Sequence, residues 1–347
     1  MTSDRHTHLG AAPGSGGPYF DDLTVGQVFD TAPAVTLTEG LAAAHQAIVG
    51  DRLRLALDTH LSTAVAAGPI AHAGLVTDLA IGQSTLVTHH VKANLFYRGL
   101  RFHRFPHIGD TLHTTTEVVG LKSNSVTPGR AATGLVALRM CTVDQQGRTV
   151  LDFYRCAMLP LNPATDPATA IRGDDVSSIG PLDEPDWAAP AGWNLTEYRN
   201  RVPGTHFDPS LTGAVFRSSG DVVSNAPELA RLTVNIAATH HDERMSAAGR
   251  LVYGGHTIGL ALSQATRALP NLVTVLGWQS CDHTEPVHEG DTLTSDLYVE
   301  SASALPGGGG VLRLRSLVFA HRGGAAHVNS GAQPAPVLDW RFTALMA

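Results

Sequence analysis

Gly249-Arg250-Leu251-Val252-Tyr253-Gly254-Gly255 follows the pattern of Gly68-Pro69-Ile70-Ala71-His72-Ala73-Gly74, 181 residues earlier in the chain. Gly109-Asp110-Thr111-Leu112 returns as Gly290-Asp291-Thr292-Leu293 at the same offset. Three further landmarks recur at an offset of 187: Phe20-Asp21 as Phe207-Asp208, Gly26-Gln27-Val28-Phe29 as Gly213-Ala214-Val215-Phe216, and Val150-Leu151-Asp152-Phe153 as Val337-Leu338-Asp339-Trp340. Two changes of loop length account for both offsets, the second being the glycine-rich loop Pro306 to Gly310. Five ordered coincidences mark an internal duplication. Differences between the copies should therefore locate the function.

The 347 residues suit two domains of ordinary size. We expect a loose tail at 1–18, a first domain at 19–161, a linker rich in Pro, Asp, Ala and Gly at 162–195, and a second domain at 196–347. Charged residues make up 16% and hydrophobic ones 43%, which is a globular rather than a disordered balance. A net charge of −7 gives no general attraction to nucleic acid or to an anionic membrane, so neither is expected as a partner. It leaves open a local basic pocket for an anionic small molecule. No run approaches the ~20 apolar residues of a membrane-spanning helix. Cys141, Cys156 and Cys281 show no paired spacing, which reads as free thiols in a reducing cytoplasm.

Each copy opens on a short segment ending in Val-Phe and continues into a helical stretch, Thr38 to Val49 or Ala226 to Ala238. Thr38 is placed to cap the first, and Pro227 and Glu228 suit the first turn of the second. A loop follows, then a helix of small residues, Leu75 to Leu86 or His256 to Leu269, with Ile258, Leu262, Ala265 and Leu269 at helical spacing. Strand-like segments come next: Thr111 to Val119, Thr133 to Val143 and Thr149 to Met158, then Thr292 to Ser301, Gly310 to Ala320 and Val337 to Met346. The order suggests an α+β fold in which an antiparallel sheet wraps a central helix in each half, a tandem or double hotdog. The run Tyr97 to Arg104, mixing basic and aromatic residues, reads as a solvated edge whose arginines could meet phosphates.

The second copy reads Asn235-Ile236-Ala237-Ala238-Thr239-His240-His241-Asp242 shortly before the glycine-rich helix start. This resembles the MaoC-like dehydratases and (R)-specific enoyl-CoA hydratases, whose signature is an Asp, an Asn two residues later, a His five residues after the Asp, and a Gly at the helix start. His240 falls on the catalytic histidine, Asn235 on the Asp and Ala237 on the Asn. In the first copy Asp51 fits the start, but Leu53 and Ala56 replace the Asn and the His, so that copy is degenerate. The stretch from Ala226 to Asp291 is similar to the mesaconyl-CoA (2-methylfumaryl-CoA) hydratase and β-methylmalyl-CoA dehydratase branch. The resemblance implies reversible water addition to a branched C4-dicarboxylic enoyl-CoA.

Such chemistry needs donors for a developing enolate, a base for water and a proton for Cα. Backbone N–H groups of Gly254 and Gly255 at the helix start meet the first need. His240 meets the second, because imidazole titrates near neutral pH. Asn235 has no proton to exchange, so it orients water or substrate. A second acid–base group is then sought among His256, Asp242 and the pair Asp282-His283. His72 stands where the second copy has Tyr253 and reads as structural, and His241 as a neighbour turned the other way. His240-His241-Asp242 lacks the spacing of metal ligands, so no metal or other cofactor is expected. An acyl-carrier-protein dehydratase, a thioesterase and a non-catalytic acyl-CoA-binding protein remain alternatives. A homo-oligomer is expected.

Overall fold

The computed structural model describes residues 17–181, 183–245, 249–322 and 335–347. In the first half, β1 (Val28–Phe29) and β2 (Val35–Thr36) precede the helices α1 (Glu39–Val49), α2 (Arg54–Leu57), α3 (Thr59–Ala66) and α4 (Ala73–Gln83). Four long strands follow: β3 (Ala93–Phe102), β4 (Thr111–Ser123), β5 (Thr133–Val143) and β6 (Thr149–Pro160). The second half repeats the plan with α5 (Leu195–Arg201), β7 (Val215–Arg217), β8 (Asp221–Val222), α6 (Ala226–Leu232), α7 (Gly254–Ala268), β9 (Leu272–His283), β10 (Thr292–Ala304), β11 (Gly310–His321) and β12 (Pro336–Met346). Thr38 caps α1 by accepting from the Leu41 N–H at 3.1 Å. Pro227 lies in the first turn of α6.

All pairings in the sheet are antiparallel, in the order β1-β4-β5-β6-β3-β9-β12-β11-β10-β7, with β2 on β4 and β8 on β10. The order is palindromic: each strand of one half has its counterpart at the mirrored place in the other. The two halves meet where β3 pairs β9, with Tyr97 opposite Cys281 and Leu100 opposite Trp278. That pairing corrects the expectation for Tyr97 to Arg104. An irregularity at Gly99 (φ 57) lets β3 bury Tyr97 as well as Leu100 and Phe102, so this run is the seam of the molecule rather than its solvated edge.

Each half wraps its own helix. All of α4 except Gly74 is buried, and twelve of the fifteen residues of α7 are buried. One glutamine per helix ties it to the sheet: Gln83 donates to the Leu112 carbonyl, and Gln264 donates to the equivalent Leu293 carbonyl. Aromatic side chains repeat as well. Tyr97 packs against Phe153 and Trp278 against Trp340, and the Tyr97 and Trp278 rings meet across the seam at 5.8 Å. Between the halves the chain lies on the sheet, where Asp174 accepts from the Leu121 N–H and Val176 packs on Ala137 and Cys156.

Two expectations for the region before each central helix need revision. Helix α6 stops at Leu232, because Val234 takes a left-handed conformation (φ 53) that ends the turn. The counterpart segment after α1 forms α2 and α3 rather than a plain loop.

Helix α4 also carries the loop of the other half. A Cβ at Gly82 would fall on the Thr233 carbonyl oxygen, so only glycine allows this approach. Gly82→Ala should cost about 3 kcal/mol or more, a typical overpacking penalty. Gly40→Ala, whose Cβ would meet nothing closer than 3.9 Å on α1, should stay within about 0.5 kcal/mol of the parent. Urea unfolding of both variants provides the comparison.

Candidate active site

The loop after α6 reverses at Val234 and runs inward. A β-branched residue at positive φ is strained, typically by ~1–3 kcal/mol; the first copy has Gly50 (φ 68) at this place. Most of the loop's polar groups are satisfied within its own half, and two of its N–H groups find partners on the opposite half. The Ile236 N–H donates to Thr85 Oγ1 at 2.9 Å, and the Ala238 N–H to the His89 carbonyl at 3.1 Å. Asn235 is buried, and its Oδ1 accepts from the Ala237 N–H at 3.0 Å. His241 turns away from the cavity and donates from Nε2 to the Asn235 carbonyl at 2.6 Å.

These contacts leave a cavity of about 320 Å³ at the seam. Asn235, Ala237, His240, Leu251, Tyr253, Gly254, Thr257 and His283 line it from the second half; Ile81, Thr85, Asn94, Tyr97 and Arg155 line it from the first. The degenerate copy thus supplies one wall.

His240 Nδ1 lies 3.0 Å from the Leu251 carbonyl, which can only accept, so the proton sits on Nδ1 and the Nε2 lone pair is free. Burial holds the imidazole neutral, pushing its pKa down to about 4 against the opposing pull of the Leu251 bond. Nearby Arg155 and His241 lower it further. His283, also at about 4 through burial, presents an unpartnered Nε2 that lies 2.8 Å from where a Gly254 Cβ would sit.

The starts of the two central helices differ in a way that favours the second copy as the place of the candidate site. In the first, His72 Nδ1 accepts from the Gly74 N–H at 3.0 Å and so closes the start of α4. In the second, the equivalent Tyr253 turns its hydroxyl to Asp78 Oδ1 at 3.1 Å and gives α7 no side-chain cap. Among the described residues, the N–H groups of Gly254 and Gly255 meet no acceptor. They lie at the positive end of the helix, where an anionic oxygen is favoured.

His240, Asn235, Gly254 and His283 line one cavity, whereas Gly255, His256, Asp242 and Asp282 do not border it. Gly255 faces Asp78 and the Tyr253 ring, where a Cβ would collide, so its side is a packing contact while its N–H stays in the open first turn. His256 is rotated by two helical steps from Gly254. It is buried toward His45 with neither ring nitrogen partnered. Asp242 is held outside by Arg244, whose hydrogen bonds push its pKa down to about 2. Asp282 pairs with Arg98 at 2.6 Å. The two-residue period of β9 sends it to the face opposite His283, so of that dipeptide only the histidine reaches the cavity. Arg155 and Asn94 escaped the sequence reading. The signal for Arg155 was there: on β6 it shares a face with Leu151, Phe153, Ala157 and Leu159, all buried.

A continuous sheet around two central helices, with one helix start left open, defines a double hotdog carrying one candidate site. A conserved hypothetical protein from Mycobacterium tuberculosis, solved with a double hotdog fold, is 64% identical, covers 96% of this chain and 99% of its own, and has a TM-score of 0.89. A structure from Chloroflexus aurantiacus, reported as a MaoC domain protein dehydratase, is 27% identical over 97% of this chain and 99% of its own, with a TM-score of 0.76. β-Methylmalyl-CoA dehydratase of Chloroflexus aurantiacus is 29% identical over 95% of this chain and 97% of its own length. Mesaconyl-CoA hydratase of Cereibacter sphaeroides is 28% identical over 88% and 90%. No protein-family model matches the chain. These likenesses support the MaoC-like family near the mesaconyl-CoA hydratase branch, and an enoyl-CoA hydratase/dehydratase of that type.

His240, His256 and His283 are each held near pKa 4 in the folded chain against 6.5 in the ordinary state. The folded form therefore resists protonation that the unfolded form accepts. Their contribution is fully present above about pH 6.5 and is lost as pH falls toward 4. The melting temperature should fall by at least roughly 5 °C between pH 7 and pH 4.5. His256→Leu should remove part of that fall without loss of stability at pH 7, since a buried unpartnered imidazole is replaced by an apolar side chain. An unchanged acid slope in the variant would show that His256 contributes nothing to it.

Proposed function

We propose that the chain catalyses reversible hydration of mesaconyl-CoA, a branched C4-dicarboxylic enoyl thioester, to β-methylmalyl-CoA. The observation that carries this reading is the neutral His240, tied through Nδ1 to Leu251 with its Nε2 lone pair free, in the same cavity as the open start of α7. The names of the two CoA-thioester relatives support the substrate class.

In this reading the thioester oxygen lies against the N–H groups of Gly254 and Gly255, which stabilise negative charge as it builds on that oxygen. His240 Nε2 removes a proton from a water that attacks the β-carbon. Asn235, with Oδ1 committed to Ala237, offers Nδ2 to orient that water. The resulting His240 imidazolium returns that proton to Cα, which leaves the histidine neutral again. Asn235 is a brace before it is anything else: Asp51 in the first copy holds the Leu53 N–H in the same way at 2.7 Å.

His240→Ala should lower kcat/KM for mesaconyl-CoA hydration by on the order of 10²-fold or more, a typical contribution of a positioned acid–base group. Turnover near the parent level in a folded variant would remove His240 as the base. In the parent, activity should be flat from about pH 6 to 8 on the acid side and decline only as His240 becomes protonated near pH 4. Asn235→Asp should keep the loop brace, fold normally and remain active, with an added acid limb from the new carboxylate. Its pH–rate profile on mesaconyl-CoA gives the check.

A further inference from the structure

Arg155 is a charged side chain in the middle of a core strand, 3% exposed. Its Nη1 donates to Ser84 Oγ at 2.7 Å and its Nη2 to Thr88 Oγ1 at 3.0 Å, while Nε has no partner. Among the described residues no carboxylate lies within ion-pair distance of it. The hydroxyls it meets follow the C-terminal end of α4, whose dipole favours a cation but does not neutralise one. A buried charge without a counter-ion is costly, and structures keep it when something else supplies the missing charge.

The duplication sharpens the point. At the position equivalent to Arg155 the second copy has Phe342, fully buried. The fold itself therefore accepts an aromatic here, and the arginine occurs on the strand that walls the cavity containing His240. Beside it Asn94 also lines the cavity, with both amide atoms buried and unpartnered. Among the described residues, the orphaned groups at this cavity are thus Arg155 Nε, the Asn94 amide and His283 Nε2.

We infer that Arg155, assisted by Asn94, is the receptor for the free carboxylate of the acyl group and makes the site selective for dicarboxylic enoyl-CoA esters. This rests on the hydratase reading above. A guanidinium bonds a carboxylate with geometry that a neutral methyl group in its place cannot reproduce. In a branched C4-dicarboxylic thioester the carboxylate is bonded to the β-carbon, the atom that receives water. Its receptor must then neighbour the base, and Arg155 is among the charged groups acting on His240. The same cation stands near His283 and lowers its basicity as well.

The test separates recognition from turnover. Binding of two saturated CoA esters that cannot be hydrated, methylsuccinyl-CoA and 2-methylbutyryl-CoA, is measured by calorimetry on the full chain. They share one branched skeleton and differ by carboxylate against methyl. The parent should prefer methylsuccinyl-CoA by at least about 10-fold, the scale of one charged hydrogen bond. Arg155→Gln should bring the two affinities to within about 3-fold, and Arg155→Lys should retain a reduced preference. Equal affinity of the parent for both esters overturns the inference even if neither variant folds, as does an undiminished preference in Arg155→Gln. Turnover is then compared on mesaconyl-CoA and tiglyl-CoA, which carries a methyl in place of the carboxylate. Carboxylate preference in binding without hydration of either ester would sink the hydratase reading and leave the receptor standing. Hydration of both esters at similar kcat/KM would do the reverse.

Discussion

Each half of the molecule holds the other half's loop in place, and the candidate site depends on that exchange. Irregular backbone carries N–H and C=O groups that need partners once buried. The loop bearing Asn235 and His240 bonds mostly to itself but is anchored at two points on the opposite half, where Thr85 takes the Ile236 N–H and the His89 carbonyl takes the Ala238 N–H, and Gly82 lets the Thr233 carbonyl come close. The reciprocal contacts hold the other loop, where Thr266 takes the Arg52 N–H and Ser263 donates to the Gly50 carbonyl. The β3–β9 seam and the meeting of α4 with α7 set the distance over which these bonds reach. His240 itself is bonded within its own half, to the Leu251 and Ala237 carbonyls, while the loop on either side of Ala237 is pinned to the other.

The two copies diverged within that shared scaffold by small chemical steps. A histidine at position 72 fills the start of α4, while a tyrosine at the equivalent position 253 leaves the start of α7 open. Asp51 and Asn235 brace their loops identically through the residue two further on. Phe342 completes a core where Arg155 offers a cation to a cavity. The degenerate copy therefore gave up its own histidine and contributes a wall and a charge to its neighbour's cavity. Buried polar groups collect along this line: His45 with Asp78, His72 with Asp51, and Tyr253 with Asp78. His72 and Asp51 lie 2.9 Å apart, at ion-pair distance though off the direction of a hydrogen bond.

Much of the candidate site was readable because it is local. His240, Asn235 and the glycines at 254 and 255 lie within one short stretch, and their motif spacing survives whatever the fold does around them. The accessory candidates fared differently because their fate depends on side-chain direction. Asp282 and His283 are neighbours in the chain but point to opposite faces of β9. His256 lies two residues from Gly254 but on the far side of α7. Asp242 is claimed by Arg244, two residues away. Arg155 lies 85 residues from His240 in the sequence, and no motif connects them.

The sequence by itself determined the duplication, the antiparallel sheet around a helix in each half, and the copy that carries the histidine. Periodicity, turn residues and repeat offsets are properties of short segments, and burial of apolar faces enforces them wherever the segments end up. The tertiary structure decided that Tyr97 to Arg104 forms the seam, that the cavity opens between the halves, and that Arg155 joins it. Those outcomes come from pairing β3 with β9 and placing one copy's strands over the other's helix start. Contacts between residues far apart in the chain are set by how the elements pack as a whole, and no local pattern encodes them.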